Sequence, residues 1–362
     1  MDFPENNDIR LALEQAEAEH RLATATLPDR LCEDWRFGRP HKHAAAMAEL
    51  AESADNAGTV TVEGADDALC EPDDDARDSV KLMQSIGSDK FLALQLAHFG
   101  KGVVLFLERS YKEPITITYE TEGTFLPTTQ IVAVAGAKAR IIERHICRGE
   151  KAAILCTRTI MAAEGAELSV ELHEEGSGAS RAMNITNITA DGAAVRHLTT
   201  HANHAWAREE TVAEIMGAKG TDVQLYSANR LGAAQVLDQH TRQRHTSGGS
   251  TSNLLYKNVV DDKATAVFAG NIYVAPGAHD TDAYQSNRNM MLSEDATIHS
   301  LPGLEILADH VRCSHGSASA PMDEEQLFYL LSRGIPRHTA QLLVAEGFLG
   351  DVTSRFSPAE QD

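Results

Sequence analysis

Four small turns set the scale of this chain. Gly136-Ala137, Gly165-Ala166, Gly192-Ala193 and Gly220 follow one another at intervals of 29, 27 and 28 residues. Around them lie short apolar or alternating runs: Val103 to Leu107, Ile115-Thr116-Ile117-Thr118-Tyr119, Ile131 to Val134, Leu168-Ser169-Val170-Glu171-Leu172 and Val223 to Tyr226. A period of two over such short lengths predicts β-strands. A near-constant interval suits stacked β-coils, in which each coil buries its inward face on its neighbours. A β-sandwich predicts similar strands, so the pattern alone leaves both architectures open. With 43% apolar residues the chain can bury a large core, and with only 5% aromatic ones that core must be thin and built from small side chains.

The flanks read differently. From Ile9 to about Ala51, Leu11, Leu13, Ala16, Leu22, Met47 and Leu50 fall on helical faces, with breaks at Leu27-Pro28 and Arg39-Pro40, because proline lacks the donor that a continuing helix needs. The segment Asp66 to Asp78, with Asp73-Asp74-Asp75 inside it, reads as an acidic connector and a solvated loop. Near the other end Asp323 can cap a helix containing Gln326, Leu327, Phe328, Leu330 and Leu331. Gly334 stops it, and Pro336 opens a second in which Ala340, Leu343, Val344 and Gly347 share a face. The expected organisation is a helical N-terminal region with its connector over 1–90, a β core over 91–315 and a helical C-terminal region over 316–362.

A formal net charge of −21 argues against polyanionic partners such as nucleic acid or an anionic membrane. There is no basic, apolar leader and no run of transmembrane length, which places the expected location in the cytoplasm. Five dispersed cysteines, Cys32, Cys70, Cys147, Cys156 and Cys313, form no CxxC pair. They favour neither a disulfide framework nor a self-contained cluster site.

Candidate chemistry is sparse. Cys313 and His315 are two apart, so on an extended segment a thiolate and an imidazole share one face and could ligate iron or zinc; the alternative is a buried thiol beside a surface imidazole. His197, His201 and His204 would cluster on a helix, but Leu198-Thr199-Thr200 is β-prone and no HExxH glutamate is present. Thr246-Ser247-Gly248-Gly249-Ser250-Thr251 lacks the GxxxxGK[ST] phosphate cradle, so the chain has no ATP site of its own. GxSxG and GxGxxG motifs are also absent.

The segments Leu254-Leu255-Tyr256-Lys257-Asn258-Val259-Val260-Asp261-Asp262, Val267-Phe268-Ala269-Gly270, Gln285-Ser286-Asn287-Arg288-Asn289 and Leu304-Glu305-Ile306-Leu307-Ala308-Asp309 closely resemble the SufB/SufD core family of the SUF iron–sulfur cluster assembly machinery. Cys313-Ser314-His315-Gly316 and the run Asp323 to Ile335 look like the C-terminal signature of its SufD branch, and Leu27-Pro28 with Glu33-Asp34-Trp35-Arg36-Phe37 is similar to that branch's N-terminal motif. Pro321 departs from the family's small-residue pattern beside His315.

The resemblance implies a mainly β protein, a right-handed parallel β-helix flanked by N- and C-terminal helical regions. It further implies a non-catalytic subunit that pairs with SufB, or with itself in isolation, and binds the SufC ATPase. His315, with Cys313 beside it, would hold iron or a nascent iron–sulfur cluster shared with SufB, and Glu324, Gln326, Tyr329 and Arg333 would contact SufC. Phe328 and Tyr329 are alternatively core residues. A different class, a β-helix carbohydrate-active enzyme, would use the solenoid face as a groove.

Overall fold

Backbone pairing decides between the two β architectures. In the computed structural model, which describes residues 6–28, 33–35, 40–54, 56–64, 67–217 and 220–356, strands pair in parallel with the strand one coil later. The register step runs from 25 residues, Arg181 with Trp206, to 32, Thr265 with Thr297. From Thr128–Ala133 onward consecutive strands alternate between a nine-stranded and a ten-stranded sheet, counted among the described residues, so the crossover joining two parallel neighbours is itself a strand of the other sheet. A sandwich of hairpins would pair antiparallel; this is a β-solenoid.

The Gly-Ala turns are its corners. Gly136, Gly165 and Gly192 have φ of +76°, +72° and +64°, the left-handed region that a Cβ disfavours, and the amide of Gly165 donates to the carbonyl of Gly192 one coil on at 2.8 Å.

Two short antiparallel strands close the first coil: Thr59–Glu63 on Ile115–Thr121 and Leu69–Cys70 on Gly102–Leu107. At the other end the last strands, Thr297–Ile306 and Arg312–Pro321, each pair on one side only among the described residues. The β region therefore begins before residue 91 and runs past 315, because these strands hydrogen-bond into the sheets. Pro321 ends an edge strand opposite Met291, where its missing amide costs no ladder bond.

Inside the solenoid an apolar column of Leu105, Ile117, Ile141, Ile160, Val170 and their neighbours fills the early coils. Later coils are partly polar. Asn229, Asn258 and Asn289 stack in register, and each Nδ2 donates upward: to Asn258 Oδ1 at 2.8 Å, to Asn289 Oδ1 at 3.0 Å and to Ser319 Oγ at 3.2 Å.

Helices α1 (Asn6–Thr24), α2 (Pro40–Glu52), α3 (Asp74–Leu82) and α4 (Asp89–Ala97) make up the N-terminal region. The acidic triplet is not a loop: Asp73 caps α3 by accepting from the Ala76 amide at 3.0 Å, and Asp74 and Asp75 lie in the first turn, where the helix dipole favours negative charge. Cys32, Arg36-Phe37, Arg39 and Asp66 fall outside the described residues. Trp35, Met47, Phe91 and Leu92 pack on Leu155, Met183, Ile185 and Trp206 of the ten-stranded sheet, which buries the strand Ala153–Ala162 on both faces.

Trp35 anchors this contact. Its Nε1 donates to the Gly87 carbonyl at 2.9 Å, its ring stacks on Phe91 and Trp206, and the Arg208 guanidinium lies 3.9 Å from its centroid. Arg208 is itself buried between Glu210 and Asp238.

At the C-terminus α5 (Glu324–Ser332), capped by Asp323 through the Glu325 amide, is followed by α6 (Arg337–Phe356), which continues through Gly347. Val352 and Phe356 of α6 pack on Leu198, Tyr226 and Leu255 of the nine-stranded sheet. Lys257 pins α6 with bonds to the Phe348 carbonyl at 2.9 Å and to Asp351 at 2.8 Å. Among the described residues no helix is long and apolar enough to cross a membrane.

Trp35→Ala should cost about 3–5 kcal/mol of N-terminal stability. Hydrogen exchange will read this as faster opening of α2 and α4 with the solenoid amides still protected.

Candidate functional site

Alternation on the last strand places both sequence candidates together. Cys313 and His315 lie opposite Ala283 and Gln285 of the preceding coil, two buried lumen residues. Cys313 packs with Ile272, Val274, Ala278, Ala283 and Val311, and burial raises its thiol pKa. His315 is exposed, above Gln285, whose Nε2 donates to the Gly270 and Gly303 carbonyls at 3.3 and 3.2 Å. A thiol and an imidazole therefore stand at the mouth of the lumen, on a strand with a free edge. Two donors do not complete a metal site. Beside them Leu304, Ile306 and Leu307 expose 37, 38 and 52% of their surface, so this end of the solenoid is an apolar, unpaired surface.

The docking candidates lie on the outer side of α5, where Leu327 alone is buried. Glu324 is exposed and pairs with Arg337 at 3.5 Å, Gln326 is exposed, and Arg333 lies over the Tyr329 ring at 5.3 Å. Phe328 and Tyr329 are not core residues: they are 71 and 57% exposed, because the helix buries its Leu327 face on Met322 and Ala340 instead.

The three-histidine run does not converge. His197 and His201 lie on the strand Ala194–Ala202 and His204 follows in the turn. All three are buried, but they meet Val170 O, Glu209 and Ser180 respectively.

A second constellation lies deep in the lumen. Glu143 and His145 on the strand Lys138–Cys147 face Cys156 and Arg158 on the strand Ala153–Ala162, and all four are fully buried. His145 Nε2 is 2.6 Å from Glu143 Oε1 and its Nδ1 is 2.5 Å from Glu174 Oε1, while Arg158 donates to both oxygens of Glu143. Burial opposes ionising Glu143, but Arg158 and His145 overcome it and hold the carboxyl below its usual range. Burial likewise opposes charging His145, and Glu174 outweighs it.

Sequence reading missed this cluster because Glu143 and His145 look like the solvent side of an alternating strand. Parity carried the signal: both match Ile141, and Cys156 and Arg158 match Ile154 and Ile160, which are lumen residues.

The fold is a β-solenoid with helical regions at both ends, and the family model described as "SUF system FeS cluster assembly, SufBD core domain" matches residues 116–348. The chain belongs to this family, which replaces the carbohydrate-active alternative.

Within it the chain is of the SufD type. It is 41% identical over 119 residues, 33% of its own length and 28% of the relative's, to "Iron-sulfur cluster assembly protein SufD" of Escherichia coli. It is 37% identical over 110 residues to the protein of the same name in Bacillus subtilis, covering 30% of this chain and 25% of that one. With a SufBD family protein of Synechocystis it shares 36% over 134 residues, 37% of this chain and 30% of that one. The matched segments thus span less than half of each relative.

Burial holds His197 and His245 as neutral imidazoles, each lowered to about 4. The unfolded chain binds these two protons below about pH 6.5, whereas the folded chain does not until about pH 4, so stability should fall across that window by up to ~1.4 kcal/mol per pH unit for each histidine. Denaturant titrations at about pH 7 and about pH 5 will show the loss, and His245→Gln should flatten the slope by one proton.

Proposed function

We propose that this chain is a non-catalytic scaffold subunit of a cytoplasmic SUF assembly complex, pairing through its open solenoid end with a SufB-type protein and through α5 with a SufC-type ATPase. The observation that carries the reading is the pairing of His315 and Cys313 at the lumen mouth of an unpaired edge strand, flanked by exposed apolar residues. A free parallel edge recruits another strand by main-chain hydrogen bonds, and a second copy of this chain would serve when the SufB-type partner is scarce.

Iron or a nascent iron–sulfur cluster is the cargo. His315 contributes a neutral imidazole donor at the joint, with thiolates supplied mainly by the partner and Cys313 as a secondary donor. This division of ligands accounts for a half-site. On α5, Glu324, Gln326, Tyr329 and Arg333 present charge and aromatic surface together, a composition suited to a partner interface.

Co-expression with SufB- and SufC-type proteins, followed by pull-down and anaerobic absorption spectroscopy, tests the reading. His315→Ala should leave the complex intact and lower its cluster absorbance; unchanged assembly would remove the ligand role. Glu324→Lys should weaken co-purification of the ATPase with no change in circular dichroism, and undiminished binding would move the docking surface elsewhere.

A further inference from the structure

The lumen cluster has the composition and spacing of a metal site, separate from the open end. Sγ of Cys156, a ring nitrogen of His145 and a carboxylate oxygen of Glu143 all lie within 4.8 Å of one another. We propose that these three residues bind a divalent transition-metal ion of borderline softness, Zn2+ or Fe2+, inside the solenoid.

Three observations support it. The donor set is one sulfur, one nitrogen and one oxygen, the mixture that Zn2+ and Fe2+ accept and that Mg2+ or Ca2+ does not. Bonds of about 2.0–2.3 Å set neighbouring ligand atoms roughly 3.3–3.5 Å apart in a tetrahedron. Cys156 Sγ to Glu143 Oε1 is already 3.7 Å, and His145 Nε2 to that oxygen, now 2.6 Å, must open. That movement is about 0.7 Å, within reach of side-chain torsions.

Next, the outer groups are in place. Glu174 Oε1 receives His145 Nδ1 at 2.5 Å, the carboxylate–histidine arrangement that orients a metal-bound imidazole, and the amide of Asn184 holds that oxygen at 2.7 Å. Arg158 Nε stays on Glu143 Oε2 at 3.0 Å, while its Nη2 also donates to Oε1, so the ion would share Oε1 with the guanidinium.

Finally, Asn184 lies opposite Cys156 in register, is fully buried, and its Oδ1 has no hydrogen-bond partner. An orphaned buried acceptor is costly, and a fourth metal bond would satisfy it.

A divalent ion would take the place of the Cys156 thiol proton and of any proton on His145 Nε2, both released to solvent, and no redox step is needed. Tyr119, its ring tilted 52° to that of His145 with centroids 5.3 Å apart, closes the side toward the first coil.

Because the site is fully enclosed, metal must enter as the chain folds. The full-length protein should therefore be produced in Co2+-supplemented medium and, in parallel, refolded with Co2+. A single Co2+ per chain is expected, with thiolate-to-metal charge-transfer absorption and a K-edge spectrum fitted by one sulfur and several nitrogen or oxygen atoms. Cys156→Ser should abolish the charge-transfer band, whereas the double variant Cys313→Ala/His315→Ala should keep it, which separates this site from the open-end reading.

Substoichiometric Co2+ by both routes, a sulfur-free K-edge spectrum of the wild type, a band that survives Cys156→Ser, or a band lost in the double variant would each overturn the proposal. The K-edge spectrum of the wild type decides even if Cys156→Ser folds poorly.

Discussion

Coil-to-coil register is the constraint on which the rest of this molecule depends. Once each strand bonds in parallel to the one a coil later, every lumen side chain sits over a defined residue in the next coil, and a slip of one would turn a whole strand inside out. The column His145, Glu174, His201 follows from that register, as does the asparagine stack from Asn229 to Asn289. Stacking like on like lets an amide donate to its neighbour and accept from the one below. Polar residues can then line a lumen that would otherwise have to be apolar.

The same register explains why the two ends differ. The first coil is closed by antiparallel strands, and the early outer face of one sheet lies under α2, α3 and α4, with Trp35 and Arg208 at the centre of the contact. Nothing comparable covers the last strands among the described residues. Their edges, their exposed apolar residues and the Cys313–His315 pair all lie at that end. A solenoid grows by adding coils, so an uncapped terminal coil is its natural place of association.

Charge is handled differently in the two interiors. Outside the ten-stranded sheet, Arg208 is neutralised by Glu210 and Asp238 and stacks on an indole. Inside the lumen, Arg158, Glu143, His145 and Glu174 balance one another with a thiol at their centre. Removing one member of either group would leave a buried charge uncompensated, far more costly than the pair itself is stabilising.

By itself the sequence determined the strands, their 27- to 29-residue spacing and the glycine corners, because these are local: a period of two and a left-handed φ are legible without neighbours. It also placed Cys313 and His315 on one face, since two residues apart on a strand is a one-dimensional fact, and its motifs carried the family resemblance. Only the tertiary structure decided between solenoid and sandwich, which differ in pairing over a full coil rather than in any local pattern. Only it turned Asp73 from a loop residue into a helix cap, exposed Tyr329, and brought Glu143, His145 and Cys156 to a point with Glu174 and Asn184. Those groups come from four strands, and their meeting depends on which face of each strand the lumen takes, a choice made by packing the coils together.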